Sequence, residues 1–216
     1  AAFLALVTRL SAAGLASVGP EGTIQDKPAT PAEQYQALLK EFQDASHEFY
    51  VQEAAAEEQN KAVARAAKLA PQFLELAEKN PGAPFALDAL VQVVLQEIWL
   101  ENNTTHPGFG NESPEAKAIA ALLRDHVRSD KLGDACRRIR YGFRKECESF
   151  LRTVMESSPH RDIQGIACLY LAQFLNDRLK RLELVRERPE MAGRYEGIFG
   201  KEYLDALAGI AVNTLG

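Results

Sequence analysis

The 216-residue chain is poor in the residues that carry chemistry, with three cysteines, four histidines, one tryptophan and two methionines. Cys136, Cys147 and Cys168 are too few and too widely spaced for a disulfide scaffold or a zinc site, and no CxxC occurs. His47, His106, His126 and His160 show no HExxH or other close ligand spacing, so no metal centre is indicated. Asp125 and His126 are adjacent, which on a helix points them about 100° apart rather than at each other, so they are no base and orienter. Gly82, Gly108, Gly110 and Gly133 read as turn residues, and no glycine pattern matches a phosphate-cradling loop, so no cofactor is expected.

A basic excess is missing as well. The formal charge of -5 and a pI near 5.5 exclude the concentrated positive face that nucleic-acid phosphates require. Arg137, Arg138, Arg140, Arg144 and Lys145 form the one basic run, and Glu146 and Glu148 balance it as a solvated helix face. Long apolar runs are absent too. Ala1 to Val18 is rich in alanine and leucine, but Arg9 interrupts it, and a bilayer span needs about 20 uninterrupted apolar residues. Nowhere does the strict alternation or valine-isoleucine density of a sheet appear.

What remains is helical. Thr30, Pro31 and Glu33 read as a capping box with proline in the first turn, and Tyr35, Leu38, Leu39, Phe42, Ala45 and Phe49 follow at one-face spacing. The alanine-rich stretch from Glu53 to Lys68 predicts a long, solvent-facing helix. Pro71 restarts the pattern with a short buried helix through Phe73 and Ala77, which Asn80 and Pro81 end. A central helix begins near Pro84 and runs through Ile98 to Trp99; the segment ENNTTHPGFGNES reads as an exposed loop, its Asn102 and Asn103 sequons being weak patterns. Ser113 with Pro114 and Ser158 with Pro159 read as two further helix starts, and Gly133 and Gly142 bracket a short helix from Asp134 to Tyr141. Pro189 stops the helix that contains Phe174, and a last amphipathic helix covers Tyr203, Leu204 and Leu207. The count is about eight or nine helices. Phe42, Phe49, Tyr141 and Tyr170 are expected in the core, with some of them lining a groove between hairpins, and the three thiols read as small buried hydrophobes.

Two segments repeat each other 77 residues apart: FLELAEKNPGAPFALDALVQVVLQ from Phe73 and FLRTVMESSPHRDIQGIACLYLAQ from Phe150. Each reads helix, proline-marked turn, helix. The expected fold is therefore all-α, a stack of antiparallel helical hairpins of tetratricopeptide-like character with longer and less regular units. Residues 31-216 form this domain, preceded by a signal-like segment and polar linker over 1-30. The chain opens on Ala1 rather than Met, which reads as a processed or partial product.

The phrases PQFLELAEKNPGAPFALDALVQVV, CRRIRYGFRKECESFLRTVMESSPHRDIQGIACLYLAQFL and FGKEYLDAL resemble the helical N-terminal region of exported bacterial redoxin proteins of the TlpA-like, thioredoxin-fold class. The resemblance covers about Pro31 to Leu207. It implies export to the periplasm or cell envelope and a thioredoxin-like thiol-disulfide oxidoreductase domain following Gly216. The redox cysteines of such proteins lie in that second domain, so the resemblance assigns no catalytic residue among 1-216.

Three functional readings stand. The first is a non-catalytic interaction or scaffold domain that holds a protein partner or its own redox domain in a groove between hairpins. His160, Arg161 and Asp162, in the turn after Ser158 and Pro159, are the candidate partner-binding residues, against a reading in which they cap a helix start. The second is a self-contained thiol redox protein using Cys136 and Cys147, eleven residues apart around Gly142. The third is a stand-alone structural protein of the envelope.

Overall fold

The computed structural model describes residues 29–51, 55–103, 113–142, 145–199 and 204–205. Nine α-helices and no strand occur among the described residues. The signal-like segment, most of the loop beginning at 104, and the last amphipathic helix apart from residues 204–205 lie outside them.

Helix α1 (Pro31–Tyr50) starts as its sequence dictates. Thr30 Oγ1 accepts from the Glu33 amide at 3.3 Å while Glu33 Oε2 accepts from the Thr30 amide at 2.7 Å, which satisfies two amides that the helix cannot pair internally. Its apolar stripe buries Tyr35 and Ala45 and partly buries Leu38, Leu39 and Phe42. Helix α2 (Ala56–Ala67) is shorter and less solvated than its composition suggests. Ala62 and Ala66 are buried, because methyl side chains let this helix approach α1 and α4 closely. Lys68 alone separates it from α3 (Leu69–Lys79), and Pro71 sits in the first turn, where its missing N–H costs nothing.

The two repeated phrases are the two helical hairpins α3 with α4 (Ala86–Asn103) and α7 (Lys145–Ser157) with α8 (Arg161–Glu187). Phe73 and Phe150, at the same place in each phrase, are both fully buried. Helix α4 is the central element: it packs on α2, α3, α5 (Pro114–His126) and α6 (Leu132–Ile139), and Ala89, Val93 and Val94 are shielded from solvent. Around its start, Tyr35 stacks on Phe85 at 5.5 Å and meets Phe73 edge-on at 5.9 Å, joining α1 to the first repeat. Helices α5 and α6 bridge the hairpins, with α5 against α4 and α7, and α6 against α4 and α8.

Three local expectations need correction. Gly133 lies inside α6 rather than in a turn. A Cβ there would sit 3.1 Å from Ile166 Cδ1, so the glycine serves a close approach between α6 and α8. Helix α8 begins at Arg161 and not at Pro159, because Ser158 Oγ takes the His160 amide at 3.3 Å instead of an amide of the first turn. Beyond Pro189 the chain re-enters a helix at once, α9 (Glu190–Phe199), which packs back on α8.

Candidate functional site

A groove follows one flank of α1 for its whole length. Its first part, about 350 Å³, lies between α1 and α3 and is lined by Gln34, Ala37, Leu38 and Glu41 on one wall and Gln72, Glu75, Leu76 and Lys79 on the other. Ala37 and Glu41 also line a second part, about 530 Å³, that continues past Asp44 and His47 to Glu48 and Arg65. Glu48 and Arg65 in turn open a third part bounded by Val51, Glu58 and Lys61. The three parts adjoin through shared lining residues, and the Glu48–Arg65 ion pair, 3.0 Å, bridges α1 and α2 where the second part meets the third. The groove arises because α1 buries only its Tyr35/Ala45 side, leaving the next flank facing the ends of α2 and α3.

The walls are electrostatically self-balanced. Lys40 pairs with Asp44 at 2.5 Å, Lys79 with Glu75 at 2.5 Å, and Arg65 with Glu48 at 3.0 Å, all in exposed positions where such pairs add little stability. The Lys79 hydrogen bond holds the Glu75 carboxyl below its usual range. Glu41 and His47 make no ion pair, and Ala37, Leu38 and Leu76 supply an apolar floor. The Gln34 and Gln72 side-chain nitrogens already donate to the Ala29 and Lys68 carbonyls at 2.8 and 3.0 Å, so what the groove offers a polypeptide ligand is its apolar strip and the two ionisable groups without ion pairs.

The residues singled out from the sequence lie elsewhere. His160 Nε2 is 3.1 Å from the Arg128 carbonyl, so the ring ties the start of α8 to the corner between α5 and α6. Arg161 and Asp162 are exposed and make no ion pair. Asp125 is engaged by its neighbour Arg124 through two bonds of 2.8 and 2.6 Å, which lowers its carboxyl range, while burial lowers the His126 imidazole.

Cys136 and Cys147 are both free and fully buried. Burial pushes the Cys136 thiol up to about 12, which keeps it protonated at neutral pH. The Cys147 thiol donates to the buried Glu115 Oε1 at 3.2 Å. Cys168 departs from the expected buried thiol: it is exposed on α8, one residue and hence about 100° beyond buried Ala167. Tyr141 likewise leaves the core, 54% exposed at the end of α6, where the Arg140 guanidinium stacks 3.9 Å from its ring centre. Phe42 and Phe49 are half-buried against Trp99, and Tyr170 is half-buried on the α8 side of the core.

Among the described residues, no three His, Cys, Asp or Glu side chains converge as a metal site would require, and no helix is long and apolar enough to cross a membrane. The chain matches no family model, no curated protein and no solved structure. What the geometry defines is an all-helical stack with open grooves along its first helix.

Proposed function

We propose that this chain is a non-catalytic interaction domain that holds a protein partner in the grooves along α1. The observation that carries the reading is the run of adjoining grooves along α1 from Gln34 to Glu48, faced by Gln72, Glu75, Leu76 and Lys79 of α3 and by Arg65 of α2. Their apolar floor and paired charges give recognition surface without a nucleophile and base in contact. The resemblance of the chain to the region that precedes a thioredoxin-like domain in exported redoxins supports a partner of that class, engaged in the bacterial envelope.

Site-specific photocrosslinking tests the reading. A benzophenone side chain at Ala37 or Gln72 is expected to capture a TlpA-like thioredoxin-fold domain, whereas one at Lys117 on exposed α5 surface is not. Equal capture at all three positions, or none at any, counts against it.

A further inference from the structure

Two histidines meet at the corner between α5 and α6. His126, in the last turn of α5, gives its backbone carbonyl to the Ser129 amide at 2.8 Å, and Ser129 Oγ in turn takes the Lys131 amide at 3.2 Å. His160, just ahead of α8, places Nε2 3.1 Å from the Arg128 carbonyl oxygen, so the same short corner also seats the start of α8. The His126 side chain adds a constraint of a different kind. Its ring is half-buried, and its Nε2 is shut off from solvent with no hydrogen-bond partner.

That setting suits one protonation state. A neutral ring with its proton on Nδ1 presents only a lone pair at Nε2, whereas a protonated ring buries an N–H and a charge without an acceptor. The neighbouring charges do not relieve this. Asp125 is the adjacent carboxylate, but Arg124 already engages both its oxygens, at 2.8 and 2.6 Å. Arg124 itself opposes a second positive charge, and Glu78 of α3 acts on Arg124 rather than on the ring. Asp88 in the first turn of α4, Glu156 in the last turn of α7, Arg128, Asp130 and Lys131 of the corner and His160 are the other ionisable groups around it, and none of them acts on the ring. The dipole at the end of α5 favours the charged form, yet burial prevails and holds the ring below its ordinary value of 6.5.

We propose that this corner is an acid-sensitive latch, closed while the His126 ring is neutral and opened, with release of the α8 start, when solvent supplies the ring's second proton. Above pH 6.5 the ring is neutral in folded and unfolded chains alike, and its seat contributes in full. As pH falls below 6.5 the unfolded ring takes the proton first, so the corner loses stability on the way down to the folded value. The latch depends on neither the α1 grooves nor their partner.

Nuclear magnetic resonance of the isotope-labelled full chain, from about pH 7.5 to 5, reads ring and corner together. The expected His126 ring titration has its midpoint below 6.5. Exchange of the Ser129 and Lys131 amides, corrected for its intrinsic pH dependence, is expected to quicken about fivefold or more between pH 7 and pH 5, while that of Phe150 inside α7 does not. His126→Phe, which fills the seat and takes no proton, is expected to abolish the acceleration. His160→Gln, which keeps a donor for the Arg128 carbonyl, is expected to retain it. A midpoint at or above 6.5, exchange unchanged between pH 7 and pH 5, or acceleration that persists in His126→Phe or vanishes in His160→Gln overturns the proposal. The parent chain's midpoint and exchange decide alone if His126→Phe does not fold.

Discussion

The Cys147 thiol donates a hydrogen bond to Glu115 Oε1 from a position that Gly142 alone allows. A Cβ at residue 142 would stand 2.4 Å from Cys147 Sγ and 3.2 Å from the Ile139 carbonyl oxygen. The start of α7 therefore seats against the start of α5 through a sulfur-carboxylate contact, with the chain bend at Gly142 as its close neighbour. Gly142→Ala is expected to destabilise the fold by roughly 1–3 kcal/mol through overpacking. Cys147→Ala removes the struck sulfur, so the double variant is expected to recover part of that loss. Urea unfolding of the four proteins gives the coupling; strict additivity would refute the contact's role.

Thiol accessibility follows from burial. With maleimide in native buffer, Cys168 is expected to react within minutes and Cys136 and Cys147 only after denaturation. Rapid native labelling at Cys136 or Cys147 would favour the thiol redox reading in place of the scaffold.

Alkaline stability carries the same information. Below the ordinary thiol value of 9.0, folded and unfolded chains both hold the Cys136 proton, and its contribution is fully present. As pH rises the unfolded thiol ionises first, while the buried one stays protonated until about 12, so stability falls across that window. The loss from this group is about 1 kcal/mol at pH 10. Tyr35, raised chiefly by burial, acts in the same direction at higher pH. Cys136→Ala is expected to flatten the slope of unfolding free energy between pH 8.5 and 10 by that amount, and an unchanged slope would place the thiol in solvent.

In the carboxylate range of pH the first capping box is the sensitive element. Hydrogen bonds from the Thr30 amide and hydroxyl lower the Glu33 carboxyl, so its contribution is complete above the usual carboxylate range and is lost as pH falls through the folded value. Thr30→Ala is expected to speed amide exchange in the first turn of α1 at pH 7 and to narrow the difference between pH 7 and pH 3. An exchange pattern unaffected by the substitution would remove the box from the account.

His160 separates a positioning role from a recognition role. His160→Ala deletes the contact with the Arg128 carbonyl and is expected to cost about 1 kcal/mol while raising amide exchange around residues 128–131. Its capture of a partner through Ala37 should be unchanged. Lost capture with unaltered stability would return His160 to the binding surface.

Much of the helical order was legible because its signals are local. The Thr30–Glu33 box, Ser113 accepting from the Ala116 amide, and the 3.6-residue stripes through Phe73 and Phe150 depend only on neighbours in the chain. Misreadings arose where a distant element decided the outcome. Gly133 looked like a turn until Ile166 of α8 arrived above it, and Tyr141 looked like core although α6 ends before reaching cover. The groove was less legible still. Gln34, Ala37, Leu38, Glu41, Asp44 and Glu48 do recur along one flank of α1, yet an exposed polar flank becomes a groove only when α2 and α3 supply its other wall.

Titration of the isotope-labelled chain with an isolated TlpA-like thioredoxin-fold domain, followed by backbone amide shifts, tests the central claim most directly. The account predicts saturable shifts concentrated at Gln34, Ala37, Glu41, Glu48 and Gln72, abolished by Ala37→Arg with the fold intact. Saturable shifts centred on other surfaces and indifferent to Ala37→Arg, or no shifts up to about 1 mM partner, would contradict it.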